Sequence, residues 1–436
     1  MIITLKKDNS KFFAVMKNLL EWEGLDYKTG TEGDIIFSSN KIKTGKILIT
    51  QKKLDKNYVF ENNTIYVNER IIEQFYDAFS FKQTNIDEPK ILIKILKEIT
   101  KAYDLSITTK WYYPKNYESA FVLSFDIDFE KQYANIKKKN NFFLNFLLKL
   151  PDFLLKAMFY PLWYAGMETR FKFAPNVLET CHKYGVYPTL FLRTPKTSKE
   201  ENGRFPPLGT GRYGYIPSKE NDEVGLHFGS TVWEYSKGFV NDSLYDNAYG
   251  NFTNILVQKR ELERYVGKKV IISRVHNGYI FLPLMLENLD DAEIALDSSL
   301  YQEVSINYGK NISKKIRPKK SKSLVGISIL FNPVYKTKLF KFYELPVSLF
   351  ECHDKREIID SIKYSVKNNE IINVLYHPSL DFRGLRFTLN LIKKRNIWIT
   401  NMTHLAEWFR QRSRKTAKEF KTIRIIDKGI EKVIMK

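Results

Sequence analysis

The apolar positions follow two rhythms that meet near Trp111-Tyr112-Tyr113-Pro114. Ahead of that point, Ile2–Leu5 is a short apolar run that reads as a strand. Lys11–Gly24 spaces Phe12, Met16, Leu19, Leu20 and Trp22 at helical intervals. Asp34–Phe37 and Lys46–Thr50 read as strands, and Arg70–Phe79 as another helix. Residues 1–112 are therefore expected to form a small α/β domain. It holds no histidine and no glycine-rich phosphate loop, so a scaffold or interaction role is expected of it.

From Ser119 onward short apolar strands alternate with helices. Phe121–Phe125, Tyr187–Leu192, Glu223–Leu226, Val270–Ser273, Ile294–Leu296 and Ile371–Tyr376 read as strands. Pro175–Tyr184, Ile255–Tyr265, Leu282–Leu289, Ile358–Asn368, Leu389–Arg395 and His404–Arg412 read as helices. This alternation predicts an α/β fold for residues 113–412, a parallel sheet that is open or closed into a barrel. Residues 413–436 form a basic tail, in which Asp427-Lys428-Gly429 between two apolar runs predicts a β-hairpin over Thr422–Met435.

Composition narrows the class. With 43% hydrophobic residues in a chain of 436, a large core is available, which excludes a disordered protein. Two cysteines, Cys181 and Cys352, exclude a disulfide scaffold and a Cys-rich zinc module, and both are expected to be buried. The formal charge of +21 implies attraction to polyanions: nucleic acid, phosphorylated glycans or an anionic membrane surface. Lys137–Lys139 and Lys310–Lys322, the latter with seven cations in thirteen residues, are the densest runs. A solvated loop is the plain reading of each, and no nucleic-acid-binding motif accompanies them. MIITLKKDNSKFF lacks the apolar core of a signal peptide, so a cytoplasmic location is expected. Phe142–Leu148 and Phe153–Tyr164 read as apolar helices parted at Pro151, too interrupted by charge to span a bilayer. They are expected to pack on the barrel, with an interfacial helix as the other reading.

In a parallel barrel the working residues sit at the C-terminal ends of strands. Five strands deliver ionisable groups there: Asp126 and Asp128, His227, Arg274 and His276, Asp297, and His377. One such residue alone is usually a capping group, but burying five unpaired sets costs several kcal/mol each, so together they point to a site. Two carboxylates at i and i+2 share a side, leaving one to bind a metal and the other free. Imidazole with carboxylate suits a divalent ion such as zinc, which lowers the pKa of bound water to about 7. A second carboxylate can take the proton from that water while a separate histidine protonates the leaving group. The set fits an ester or amide hydrolase. No GxSxG elbow is present, and in a two-carboxylate glycosidase the histidines would lack a role.

The order and wording of these motifs resemble the NodB-type polysaccharide deacetylases, metal-dependent carbohydrate esterases on an incomplete (β/α) barrel. Ser124-Phe125-Asp126-Ile127-Asp128 resembles the first motif, in its form with one residue between the aspartates. The stretch His182–Leu192 resembles the helix and strand that precede the second motif, and Glu223–His227 that motif itself. Ser273–His276 resembles the arginine motif, Asp297–Leu300 the fourth, Leu375–Pro378 the fifth, and Thr403–Arg412 the closing helix. The resemblance covers about residues 115–412 and rests on the order of the motifs. It implies Asp126 as base, Asp128 and His227 as metal ligands, Arg274 as the residue that orients the base, and His377 as acid. Asp297 would tune these groups together with Arg274. The family usually has a second metal histidine four residues after the first, where this chain has Thr231. His276 is the candidate for the third ligand, with Ser230 or water behind it.

The resemblance implies hydrolysis of a C–N bond other than a peptide bond: removal of acetate from an N-acetylated sugar with a bound divalent metal, zinc by preference. With no secretion signal, the expected substrate is a glycan precursor at the inner face of the membrane. The basic runs would suit a phosphate-bearing carrier or an anionic lipid surface more than nucleic acid. Two alternatives stand beside it, a non-catalytic barrel that binds a glycan or polyanion, and a different amide or ester hydrolase on the same fold. The loop Thr194–Asp222 is the expected lid or substrate wall. His182, His353 and His404 are expected to be structural, and Tyr376 and Trp408 to be packing residues.

Overall fold

The computed structural model describes residues 2–40, 47–82, 84–127, 132–133, 167–168, 174–192, 223–228, 255–275, 279–301, 305–308, 311–312, 326–352, 354–377 and 383–436. Near the N-terminus, β1 (Ile3–Leu5) leads into α1 (Lys11–Glu23), and β2 (Ile35–Phe37) and β3 (Ile47–Lys52) extend the sheet in parallel. A hairpin of β4 (Tyr58–Glu61) and β5 (Thr64–Asn68) joins through β5, parallel to β3. Helices α2 (Glu69–Phe79) and α3 (Ile91–Ala102) follow. Side-chain caps set the helix starts: the Ser10 hydroxyl accepts the Phe13 N–H of α1, and Asn68 accepts the Arg70 N–H of α2. Gly24 ends α1 with φ +73, where a Cβ would collide with the Arg412 guanidinium and the Lys110 carbonyl. β6 (Ser106–Lys110) then leaves this unit.

The second unit alternates as its sequence rhythm predicts. Its strands are β7 (Ser119–Ile127), β8 (Thr189–Leu192), β9 (Glu223–Phe228), β10 (Ile272–Val275), β11 (Leu296–Asp297), β12 (Tyr343–Glu344), β13 (Leu349–Phe350), β14 (Ile371–Tyr376) and β15 (Ile397–Ile399). Its helices are α4 (Ala174–Lys183), α5 (Ile255–Val266), α6 (Leu284–Asp291), α7 (Lys355–Asn368), α8 (Arg383–Lys393) and α9 (Met402–Arg414). The strands hydrogen-bond in the order β12-β11-β10-β9-β8-β7-β14-β13, all parallel, with β15 against the start of β7. Strands at both faces of such a sheet need apolar cover, and the runs of buried residues in β7, β9 and β14 supply it.

The sheet is curled. Asn373 in β14 donates to the Ser298 hydroxyl, just past β11, at 2.9 Å. Five strand spacings separate those two strands, about 24 Å if the sheet were flat. Only wrapping brings the two side chains together, and it defines their side as the concave face. The architecture is therefore a curled, parallel (β/α) half-barrel behind a small α/β unit, the fold class that the sequence predicts.

The two ends of the chain are tied together behind the barrel. The C-terminal hairpin, β16 (Thr422–Asp427) and β17 (Ile430–Met435), adds β16 antiparallel to β6. The expected hairpin is present, and it forms a three-stranded sheet with a strand of the N-terminal region. Arg412 of α9, fully buried, donates to the carbonyls of Glu21, Trp22, Lys110 and Trp111. The first two are carbonyls of the last turn of α1, where backbone donors run short; that of Glu21 also accepts the Gly24 N–H. Arg424 of β16 pairs with buried Glu23 at 2.8 Å, and Tyr112 also donates to that carboxylate. Burial alone would lift the Glu23 carboxyl, but Arg424 and Lys90 hold it below the usual range. At the other end of α9, buried Glu223 accepts the Met402 and Thr403 N–H groups and seats the helix N-terminus against β9.

The apolar segments predicted over residues 142–164, the runs Lys137–Lys139 and Lys310–Lys322 apart from Asn311 and Ile312, and the loop Thr194–Asp222 lie outside the described residues. No helix among the described residues is long and apolar enough to cross a membrane.

Because Arg412 serves four carbonyls in a dry junction, Arg412→Ala is expected to cost about 2–4 kcal/mol. Urea unfolding of the full chain measures this; a loss below about 1 kcal/mol would show that the clamp is dispensable.

Candidate functional site

Strand register places Asp126, His227 and Arg274 on one face. Asp126 of β7 pairs with Phe191 of β8, which pairs with Gly225 of β9. His227 lies two residues on from Gly225 and pairs with Arg274 of β10. Side chains alternate along a strand, so all of these share the concave side. The sequence put His227 and Arg274 just after their strands; both lie inside strands that run two residues further.

Arg274 is the centre of the cluster. Fully buried, it donates from Nη1 to Asp126 Oδ1 and to the Ser124 hydroxyl, both at 2.8 Å. Nε reaches the Ser298 carbonyl at 2.7 Å and Nη2 the Ser298 hydroxyl at 2.9 Å. Its guanidinium lies over the Phe191 ring, 4.2 Å from the ring centre. A buried charge survives only when paired and hydrogen-bonded, and Arg274 meets both conditions. The result is a carboxylate, Asp126, fixed in direction by a guanidinium whose bonds join β10, β7 and the turn after β11.

His227 is set by a backbone bond. Its Nδ1 lies 3.1 Å from the Arg274 carbonyl. A carbonyl only accepts, so Nδ1 carries a proton; in the neutral ring Nε2 is then the lone-pair nitrogen, on the side of Asp126, whose Oδ2 is 4.0 Å away. Metal-binding histidines are commonly held this way, with the non-ligating N–H donated to a carbonyl.

His377 stands at the end of β14, level with Asp126 because Tyr376 pairs with Phe125. Glu351, just after β13, accepts the His377 backbone N–H at 3.2 Å and meets Nδ1 at 2.7 Å with the same Oε1. The two contacts orient the ring and direct Nε2 away from the carboxylate. Phe350 packs edge-on against the imidazole.

Asp297 sits elsewhere than the sequence reading expects. It pairs in register with Ser273 and Glu344, one residue out of phase with Arg274 and Ser298. Alternation therefore turns its side chain to the convex face, where the Ser273 hydroxyl donates to it at 2.5 Å. The carboxylate beside His377 is Glu351, and the residue from the Asp297–Leu300 motif that touches Arg274 is Ser298. Asp128, His276 and Thr231 lie outside the described residues, and among the described residues no three His, Cys, Asp or Glu side chains gather as a metal site. Cys181 and Cys352 are buried, and burial pushes the Cys352 thiol up to about 12. Tyr376 donates to the Cys352 carbonyl and Trp408 to that of Tyr112, as packing residues would. His404 lies in the first turn of α9, and the His182 ring is tilted against that of Tyr187, centres 5.1 Å apart; His353 is outside the described residues.

Ser124, Ser298, Asn373 and Glu351 were not singled out from the sequence. Asn373 had a signal, a lone amide inside the apolar run Ile371–Tyr376, and Ser124 lies two residues before Asp126 on the same face. Glu351 had none, since its meeting with His377 depends on two neighbouring strands.

No protein-family model matches the chain, and no curated protein resembles it significantly. Among solved structures, it is similar to a Mycobacterium smegmatis protein proposed as a polysaccharide deacetylase, at 14% identity and TM-score 0.38, over 70% of this chain and 95% of that one. It is similar to the PuuE allantoinase at 8% identity and TM-score 0.40, over 69% and 93%. A Bordetella bronchiseptica protein, proposed as a polysaccharide deacetylase involved in O-antigen biosynthesis, has 12% identity and TM-score 0.29, over 69% and 91%. At such values the likenesses carry no functional argument; the fold rests on the strand order and the contacts above.

Gly225 faces Phe191 so closely that a Cβ would enter the ring, which is itself pressed against Arg274. Gly225→Ala is expected to destabilise by about 1–3 kcal/mol and to disturb the Arg274–Asp126 bond. Urea unfolding and a crystal structure of the variant measure both. An unchanged midpoint with Phe191 in place would contradict the packing argument.

Proposed function

We propose that the chain is a metal-dependent hydrolase that removes acetate from an N-acetylated sugar of a polysaccharide or glycan precursor. The observation that carries this reading is the Asp126–Arg274–His227 cluster, with the His377–Glu351 pair at the same end of the sheet. Asp126 is fixed in direction by Arg274, His227 places Nε2 beside it, and His377 is oriented by a carboxylate. A divalent ion, zinc by preference, would be held here by His227 together with Asp128 and His276. When bound, such an ion acidifies a coordinated water and polarises a carbonyl.

In the proposed reaction Asp126 takes a proton from the water whose oxygen adds to the amide carbon. Arg274 keeps that carboxylate aimed at one point. His377 then gives a proton to the sugar nitrogen as the C–N bond breaks, so acetate and a free amine leave. Glu351 keeps the imidazole in place through its bonds to the ring and to the backbone N–H. The inner face of a membrane, or a phosphate-bearing carrier, is the setting that the net charge favours.

Acetate release from N-acetylglucosamine oligomers by the purified full chain tests the reading. Asp126→Ala and His377→Ala are each expected to lower kcat by about 10²–10⁴. Glu351→Gln is expected to lower it by about 10–100-fold with KM unchanged. Release that survives both alanine changes would refute the assignment.

A further inference from the structure

Behind the site, on the convex face, two carboxyls are buried against each other. Asp297 and Glu344 are register partners on the adjacent parallel strands β11 and β12, and neither side chain reaches solvent. Glu344 Oε1 accepts the backbone N–H groups of Ser299 and Leu300, at 3.1 and 3.0 Å. Asp297 Oδ1 accepts the Ser273 hydroxyl. The remaining oxygens, Glu344 Oε2 and Asp297 Oδ2, are buried without a hydrogen-bond partner. The Ser299 hydroxyl and the facing Glu344 carboxyl both act on Asp297. Two ionised carboxylates have no proton to place between them, and two like charges in a dry site repel strongly.

We propose that Asp297 and Glu344 hold one proton between them, and that Glu344 is thereby a positioning residue for the concave site. The proton rests on Glu344 Oε2 and is donated to Asp297 Oδ2. Every oxygen of the pair then has a partner: Glu344 Oε1 keeps its two backbone donors, and Asp297 is the anion. Burial raises both carboxyls above their ordinary range, and Asp297 adds its own repulsion to the rise at Glu344. The other charge acting strongly on Asp297 is Arg274, which favours its ionised form. The pair clamps the turn after β11 by its backbone, and Ser298 in that turn supplies the carbonyl and hydroxyl that hold Arg274. The chain of contact thus runs from Glu344 through Ser298 and Arg274 to Asp126.

The shared proton is independent of the proposed reaction; the positioning role rests on it. Infrared spectra of the full chain at neutral pH decide the first. The wild type minus Glu344→Gln difference is expected to contain the carbonyl band of an un-ionised carboxylic acid that shifts in D₂O. A difference showing only carboxylate bands overturns the proposal. Should Glu344→Gln fail to fold, the wild-type spectrum decides: an acid band present at neutral pH and lost at alkaline pH supports it, and no acid band at neutral pH overturns it. Stability gives a second arm. A carboxyl whose folded pKa is raised contributes fully below its unfolded pKa and loses that contribution as pH rises through the folded value. Across that window the folding constant of the wild type should fall about tenfold per pH unit relative to Glu344→Gln. A pH-independent difference contradicts it. For positioning, Glu344→Ala should lower kcat for N-acetylglucosamine oligomers by about tenfold or more with KM unchanged, and Glu344→Gln, whose amide still donates to Asp297, should restore it. Equal kcat in the two variants overturns the positioning role alone. A wild type inactive on these oligomers counts against the proposed reaction and leaves the infrared and stability arms to judge the proton.

Discussion

The bond between Arg274 and Asp126 is the constraint on which the site depends. It crosses the curl of the sheet, from β10 to β7, and can form only if the strands wrap. Arg274 gains four hydrogen bonds and an aromatic face, which offset the cost of taking its charge out of water. The same carbonyl group of Arg274 fixes the tautomer of His227. One residue therefore sets the direction of a carboxylate and the donor nitrogen of the imidazole beside it.

That arrangement needs rigid support from behind. Ser298 is held by Arg274, by Asn373 and by the Leu345 carbonyl, so strands from opposite ends of the sheet converge on one hydroxyl. Beyond the barrel, Glu223 anchors the start of α9, and Arg412 near its end reaches into the carbonyls of α1. Among the described residues, the buried apolar side chains of the N-terminal unit and of the barrel belong to one continuous core.

The sequence carried most of the fold, because β–α alternation and apolar runs are local signals. Strand limits such as Glu223–Phe228 were within two residues of the reading, and the hairpin at 422–435 formed where Lys428-Gly429 allows the turn. What it did not carry was partnership across strands. Asp297 looked like a site residue since it ends a strand, yet a one-residue phase difference in register turns it away from Arg274. Glu351 could not be chosen from sequence, for its value lies in standing beside His377 of the next strand. Likewise β6 read as part of the first unit, while its sheet partner lies more than three hundred residues later.

Zinc titration of the metal-stripped full chain, followed by calorimetry, tests the concave cluster most directly. The account predicts one ion per chain, with binding lost in His227→Ala and kept in Asp297→Asn, whose side chain faces the other way. No binding by the wild type, or binding indifferent to His227, would contradict it.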